Sequence, residues 1–105
     1  MKQYSLIELE TYQAVVEAGS FNLAADRLST SAATVSRRIS TLESALGVRL
    51  LNRTTRNLNL TEAGEQYLDD VKNILESVEI SEERIGEGKA EAKGELRIAA
   101  PLSFG

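Results

Sequence analysis

The 105-residue sequence contains neither cysteine nor histidine. It therefore cannot form a disulfide framework, a Ser-His or Cys-His nucleophile pair, or the usual zinc sites. Paired carboxylates could in principle supply acid–base catalysis, but the acidic residues are spread along helix faces in which no pocket is visible. The sequence argues against an enzyme and predicts no metal site, and the absence of cysteine fits a reducing cytoplasm.

Long apolar runs are also missing. No stretch of about eighteen apolar residues occurs, so no membrane span is expected, and the N-terminus leads straight into an amphipathic pattern instead of a secretory signal. Apolar residues make up 42% and charged residues 27% of the chain, which is ordinary for a soluble globular protein. The length allows one small core and not two full domains.

The net charge is −4, but it is unevenly distributed along the chain. Between Leu28 and Leu60 there are five arginines and a single acid, Glu43, a local charge of +4. From Thr61 onward eleven acids outnumber five basic residues, a local charge of −6. Because a phosphate responds to the field within a screening length of roughly 8–10 Å, one face of an acidic protein can bind DNA. The alternative is that these arginines are ordinary surface residues.

Helical periodicity and capping serines predict three helices in the first half of the chain. The first covers roughly residues 5–18, with Ser5 and Glu8 at capping-box spacing. A shorter second helix starts after a cap at Ser20 and carries small alanines that allow another helix to approach closely. The third covers about residues 32–46, after a cap at Ser31 and before a glycine that can adopt a left-handed cap.

The two sides of the third helix differ. An apolar stripe within about 60° of arc consists of Val35, Ile39, Leu42 and Leu46. The opposite side carries Ala33, Arg37, Ser40, Thr41 and Ser44. This pattern predicts a helix-turn-helix, in which two short helices are joined by a tight turn. The apolar stripe of the second helix packs against the core, and its opposite side, with short polar residues and an arginine, enters a DNA major groove. The alternative is an ordinary three-helix core with a polar outer surface.

A basic hairpin is predicted directly after these helices. Residues 48–51 are predicted as a strand, residues 52–57 as a polar turn and residues 58–60 as a second strand. Such a hairpin can serve as a wing that lays arginine along neighbouring phosphates or in the minor groove. Arg53 and Arg56, at the predicted tip, are the candidates.

A long helix is predicted from a cap at Thr61 to about Ile85. A helix of roughly 25 residues is about 37 Å long, which exceeds a 60-residue core, so its apolar face needs a partner. The simplest partner is the same helix of a second copy, and the alternative is folding back onto the same chain. The predicted dimer contacts are Tyr67, Leu68, Val71, Leu75, Val78 and Ile85.

The last part of the chain changes character. Residues 86–94 are charged and punctuated by glycine, which predicts a linker, and residues 96–101 are predicted as the first strand of something that stops at Gly105. A lone terminal strand would have no pairing partner. We therefore expect the chain to be a fragment cut just inside a second domain.

Several linked motifs occur in a specific order. The first is Gly19-Ser20-Phe21, followed by Ala24-Ala25 and Leu28. The second is Val35-Ser36-Arg37, followed by Ile39 and Leu42-Glu43. The third is Leu46-Gly47-Val48-Arg49-Leu50-Leu51-Asn52-Arg53-Thr54, followed by Leu60-Thr61-Glu62-Ala63-Gly64. Together they resemble the N-terminal region of the LysR-type transcriptional regulators, and the long helix and Gly94-Glu95-Leu96-Arg97-Ile98 extend the likeness.

The resemblance implies a mainly α fold, in which a winged helix-turn-helix of three helices and a two-stranded wing precedes a long dimerisation helix. It implies a sequence-specific transcription regulator that binds interrupted palindromic operators as a homodimer, with the recognition helix in the major groove and the wing on the minor groove or backbone. It also implies a missing C-terminal domain of periplasmic-binding-protein type that senses a small-molecule effector, so no cofactor is expected in this chain. Contact with RNA polymerase is left open. The competing hypothesis is a protein–protein docking module with a coiled-coil-like dimer helix.

Three domains follow from this reading. Residues 1–60 form the DNA-binding domain, residues 61–88 the linker and dimerisation helix, and residues 89–105 the hinge and the start of a truncated effector-binding domain. The resemblance implies that the following residues contact DNA: Ser31, Ala32, Ala33, Thr34, Ser36, Arg37, Arg38 and Arg53. Thr41 on the outer side of the third helix, and Thr54 and Arg56 in the wing, complete the predicted set.

One departure from the family pattern concerns the start of the recognition helix. Many members have glutamine followed by proline or serine where this chain has Ala32 and Ala33. Alanine cannot hydrogen-bond a base edge, although its methyl can pack against thymine methyl groups. Thr34, Arg37 and Arg38 are therefore expected to carry more of the base reading.

Overall fold

The computed structural model describes residues 4–53 and 58–92, and side chains as far as residue 86. These residues form helices α1 (Leu6–Ala18), α2 (Phe21–Arg27) and α3 (Ala32–Leu46), strands β1 (Leu51–Arg53) and β2 (Leu58–Leu60), and helix α4 (Glu62–Ala92). The two strands pair as an antiparallel hairpin. Three helices, a two-stranded hairpin and a long helix confirm the predicted fold class. The chain divides at Leu75 into two compact units, which are described separately.

The helix ends are where the capping residues predict them. At the start of α1, the Glu8 carboxylate accepts hydrogen bonds from the Ser5 backbone N–H (2.7 Å) and hydroxyl (2.9 Å). Partial burial acts to raise the pKa of Glu8, but these hydrogen bonds outweigh it and hold the pKa below its ordinary value. Ser20 and Ser31 cap α2 and α3 through their hydroxyl oxygens, and Gly47 ends α3 in the left-handed conformation (φ 74°).

The core of the first unit lies where α1, α2 and α3 meet the hairpin and the beginning of α4. Its buried apolar side chains are Leu9, Tyr12, Val15, Ala24, Ala25, Val35, Ile39, Leu42, Leu50, Leu51 and Val71. The adjacent alanines of α2 are both in this core, so the close helix approach that they predict is present. Among the described residues, the buried polar side chain is Thr11, whose hydroxyl donates to the Ile7 carbonyl oxygen (2.6 Å).

The hairpin differs from the prediction at its first strand. β1 covers Leu51–Arg53 and pairs Leu51 with Leu60 and Arg53 with Leu58, whereas the sequence predicted a strand over residues 48–51 and a turn from residue 52. The reason is that the Leu50 backbone N–H donates to the Glu43 carboxylate instead of to the second strand, so ladder pairing starts only at Leu51. Residues 54–57 lie outside the described residues.

Helix α4 is longer than predicted. It continues to Ala92, through residues 86–92 that were predicted as linker and hinge. A glycine costs a helix about 1 kcal/mol relative to alanine, and the surrounding alanine, glutamate and lysine residues are good helix formers, so the glycines do not end it. The predicted strand over residues 96–101 lies outside the described residues. In the part of the chain that the structure describes, no helix is long and apolar enough to cross a membrane.

The predicted dimer stripe of α4 divides into two parts. In the first unit, Val71 is fully buried in the core of its own chain, and Tyr67, Leu68 and Leu75 pack partly against that core. The prediction that Val71 faces a partner is therefore wrong, because the beginning of α4 folds back onto α1 and the hairpin segment. In the second unit, Val78 is half-buried and Ile85 is 71% exposed, and their dimer role stays a prediction.

A buried tyrosine fixes the beginning of α4 to α1. The Tyr12 hydroxyl donates to the Gly64 carbonyl oxygen (2.7 Å), and its ring lies 6.2 Å from the Tyr67 ring. Thr61 caps the helix as predicted: its hydroxyl oxygen accepts from the Gly64 N–H (2.9 Å). Burial, with the nearby charge of Glu43, raises the pKa of Tyr12 to about 12. The first turn of α4 is thus held by specific hydrogen bonds as well as by apolar packing.

The Tyr12 pKa predicts how stability changes at alkaline pH. Below pH 10 the tyrosine is protonated in both the folded and the unfolded chain; above it the unfolded chain ionises first, so the free energy of unfolding falls until the folded pKa near 12 is reached. Tyr12→Phe should cost about 1 kcal/mol at neutral pH, because the hydrogen bond is lost, and should make the alkaline decrease smaller. Urea unfolding of both proteins on either side of pH 10 measures this. An equal alkaline decrease in the two proteins would contradict it.

Candidate nucleic-acid interface

Helix α3 has one anchored side and one outer side, as its sequence predicts. Val35, Ile39 and Leu42 are fully buried beneath it. On the outer side Arg37 is exposed, and it makes no hydrogen bond or ion pair with any described residue. The exposed positions of that side are Ala33, Arg37, Ser40 and Ser44, while Thr41 is half-buried. One of the three residues that were expected to carry the base reading is thus exposed and unpaired among the described residues.

The N-terminus of α3 is held by a local pair of hydroxyl groups. The Ser31 hydroxyl oxygen accepts from the Thr34 N–H (3.1 Å) and lies 3.1 Å from the Thr34 hydroxyl oxygen. Ser31 can therefore donate its proton to Thr34, which leaves the Thr34 proton available to an outside acceptor. Ala33 is exposed, and Ala32 and Ser36 are half-buried. The predicted contact residues at this helix end lie together, with at least one donor still open.

Arg38 is placed differently from its neighbour in sequence. It is half-buried, and its Nη1 donates to the hydroxyl oxygen of Thr11 on α1 (3.4 Å). The same Thr11 hydroxyl passes its own proton to the Ile7 carbonyl oxygen, so it acts as a fixed acceptor for the guanidinium. The two adjacent arginines therefore differ, since Arg37 is unpaired among the described residues and Arg38 is tied to α1.

Arg53 lies at the end of β1 and is not a free arginine at the tip of the hairpin. Its Nη2 is 3.5 Å from Oε1 of Glu43, and its guanidinium carbon is 5.0 Å from the centre of the Phe21 ring. One-third of its side chain remains exposed (33%). Thr54 and Arg56, the other predicted wing residues, lie outside the described residues.

Glu43 is the residue whose importance the sequence interpretation missed. Its side chain is only 11% exposed, and Oε2 accepts from the backbone N–H groups of Leu50 (2.8 Å) and Leu51 (3.2 Å) while Oε1 contacts Arg53. It thereby joins α3 to the hairpin. The sequence did contain a signal. Glu43 is the single acid between Leu28 and Leu60, and a lone acid among five arginines indicates an ion pair with one of them.

The charge of this surface follows from these contacts. The Glu43 carboxylate is mostly buried against one arginine, whereas Arg37 and Arg49 are exposed and Arg38 is half-buried. The exposed side chains between residues 28 and 53 therefore carry a net positive charge, although the chain is acidic overall. Phosphate groups are the ligands that exposed arginines and a helix N-terminus attract.

Comparisons with known proteins agree with this geometry. A family model described as bacterial regulatory helix-turn-helix protein, lysR family, matches residues 6–65. The chain is 46% identical over 99 residues to an HTH-type transcriptional repressor of Pseudomonas aeruginosa, PA14_22550, covering 94% of this chain and 31% of that protein. It is 43% identical over 95 residues to the HTH-type transcriptional regulator CrgA of Neisseria meningitidis, covering 90% and 32%. The chain thus spans about a third of the length of these curated relatives.

The similar solved structures include two complexes of a DNA-binding domain with DNA. The crystal structure of a CbnR_DBD–DNA complex superposes with a TM-score of 0.75 at 38% identity, covering 79% of this chain and 95% of that chain. The BenM_DBD/catB site 1 DNA complex superposes with a TM-score of 0.77 at 32% identity, covering 79% and 93%. The likeness therefore includes nearly all of both DNA-binding chains.

Proposed function

The chain belongs to the lysR family of bacterial regulatory helix-turn-helix proteins, and from that premise we propose that it binds double-stranded DNA and regulates transcription. Helix α3 enters the major groove, and the hairpin contacts the minor groove or the backbone. The function is binding without chemistry, carried out in the cytoplasm where bacterial DNA lies. The observation that carries the proposal is the anchored helix α3 with Arg37 exposed and unpaired among the described residues.

The similar structures support the same function. CbnR_DBD and BenM_DBD are bound to DNA in their crystals, and this chain shares their fold over nearly their whole length. A docking module for another protein would more often expose aromatic or long aliphatic side chains on the hairpin. The described hairpin residues with exposed side chains are Asn52, Arg53 and Asn59, which suit phosphate and sugar contacts.

We propose that the whole protein acts as a homodimer through α4. In the second unit, Ile80 is 45% and Ile85 is 71% exposed, and Val78 is half-buried. An apolar helix face of this kind is covered most simply by a second copy of itself. A dimer would present two α3 helices to two half-sites of one operator. We propose that the small-molecule sensor of the whole protein lies in the part of its relatives' length that this chain does not span.

Phosphate contacts supply affinity for any DNA sequence and base contacts supply the preference for one, and this difference predicts the effect of Arg37→Ala. If Arg37 forks to a guanine, its loss should remove about 1–3 kcal/mol of discrimination between a preferred site and random DNA. Arg53→Ala should instead weaken binding to all sequences evenly. It should also reduce the slope of the logarithm of the binding constant against the logarithm of the salt concentration by about one. The measurement is a pair of gel-shift titrations at two salt concentrations, on random duplex and on a duplex selected by the protein from a random pool.

Two results would contradict these roles. Equal losses on selected and random duplex for Arg37→Ala would remove its base-reading role and leave it as a phosphate contact. A wild-type chain that ignores random duplex even in dilute buffer would overturn the proposed function itself, because phosphate attraction is strongest there.

A further inference from the structure

Three side chains from three elements meet beside the hairpin. Arg53 ends β1, Phe21 begins α2, and Glu43 lies on α3. The guanidinium carbon of Arg53 is 5.0 Å from the centre of the Phe21 ring, and its Nη2 is 3.5 Å from the Glu43 carboxylate. We propose that Phe21 is a positioning residue, whose ring holds the guanidinium of Arg53 in the orientation in which it binds a DNA phosphate.

The strand pairing explains why Arg53 reaches the helices. Residues two apart in a strand share a face, so Arg53 is on the same face as Leu51, which is 1% exposed. Asn52, between them, lies on the other face with its pairing partner Asn59, and both are exposed. The arginine is therefore on the helix side of the hairpin, where α2 and α3 supply its neighbours.

The contacts with described residues leave part of the guanidinium open. This group is planar and carries five N–H donors, and the Glu43 carboxylate oxygen Oε1 lies 3.5 Å from one of its nitrogens, Nη2. Arg53 makes no other hydrogen bond or ion pair with a described residue, and 33% of its side chain is exposed. A phosphate can accept two parallel hydrogen bonds from one guanidinium edge, so the open donors match that ligand.

The neighbours of Arg53 are themselves fixed. Phe21 packs partly against the core, directly after the Ser20 cap of α2. The Glu43 carboxylate is held by the backbone N–H groups of the two leucines that precede Asn52. An arginine held over a fixed ring has fewer rotamers to lose when it binds, so its phosphate contact costs less entropy than that of an arginine without such a neighbour.

This inference rests on the DNA binding proposed above, and a double-mutant cycle on the whole chain tests it. Phe21→Leu keeps the apolar bulk and removes the aromatic face, and Phe21→Tyr keeps the face. Random-duplex affinity is measured by fluorescence anisotropy over a salt series for each of these and for Arg53→Ala and the double variant. We expect Phe21→Leu to weaken binding about two- to five-fold, Phe21→Tyr to restore it, and Phe21→Leu to have almost no effect when Arg53 is already alanine.

The outcomes separate this inference from the proposed function. Equal losses for Phe21→Leu with and without Arg53 would mean that the ring acts only through folding, and would overturn the positioning role while DNA binding stands. A wild-type chain that fails to bind would overturn both. Urea unfolding identifies any variant that does not fold, and Arg53→Gln then replaces Arg53→Ala in the cycle, because glutamine keeps a polar side chain at this position and removes the cation that the ring holds.

Discussion

Replacing Gly64 with alanine is expected to lower the free energy of unfolding by about 3 kcal/mol or more, the upper part of the range for overpacked positions. A Cβ at this position would overlap the Leu50 carbonyl oxygen and would lie 3.0 Å from the Tyr12 hydroxyl oxygen. The Leu50 carbonyl oxygen cannot move away freely, because it accepts the Thr61 N–H (3.0 Å). Backbone on both sides must shift, and the hydrogen bond from Tyr12 to Gly64 is lost with it.

The alternative outcome has a definite size. If helix propensity alone decided the result, Gly64→Ala would stabilise α4 by about 1 kcal/mol. Gly86, in the same helix, is the matched control, since a Cβ there meets nothing within 4 Å. Gly86→Ala is therefore expected to be neutral or stabilising by up to about 1 kcal/mol. Urea unfolding measures the change in the free energy of unfolding for both variants. Changes of the same sign would refute the argument that a Cβ at residue 64 clashes with the Leu50 carbonyl oxygen.

Local patterns predicted the helical part of the fold closely. The bounds of α1 and α3 agree with the predicted ranges to within a residue, because capping serines, a left-handed glycine and apolar spacing all act within one or two turns of the chain. The same is true of the face of α3 that carries Arg37. Its exposure follows from the burial of the opposite stripe, which periodicity alone determines.

What the sequence did not reveal depends on residues far apart in the chain. The start of β1 is shifted because Glu43, seven residues before Leu50, accepts the Leu50 backbone N–H that a strand would have used. Val71 is buried because α4 folds back onto the core, and periodicity cannot tell such packing from a dimer contact. The pairing of Arg53 with Phe21 and Glu43 likewise needs the tertiary arrangement of three elements.

The second large effect is expected for Glu43→Ala, which should lower the free energy of unfolding by about 2–4 kcal/mol. The substitution leaves the N–H groups of Leu50 and Leu51 without their acceptor in a place where both side chains are buried. Arg53 loses its ion-pair partner at the same time. The two part-buried backbone donors matter most, because a donor that loses its partner away from water forfeits its hydration without replacement, whereas a partly exposed ion pair contributes little.

Two further variants separate the contributions of hydrogen bonding and charge. Glu43→Gln keeps an acceptor oxygen for the two backbone donors and removes only the charge that faces Arg53, so its cost should be at most about half that of alanine. Glu10→Ala, at an exposed position on α1, should change stability by less than about 0.5 kcal/mol. Urea unfolding of Glu43→Ala, Glu43→Gln and Glu10→Ala ranks the three variants by their loss in the free energy of unfolding. If glutamine proved as costly as alanine, the ion pair with Arg53 and not the capping of the Leu50–Leu51 backbone would be what holds the hairpin against α3.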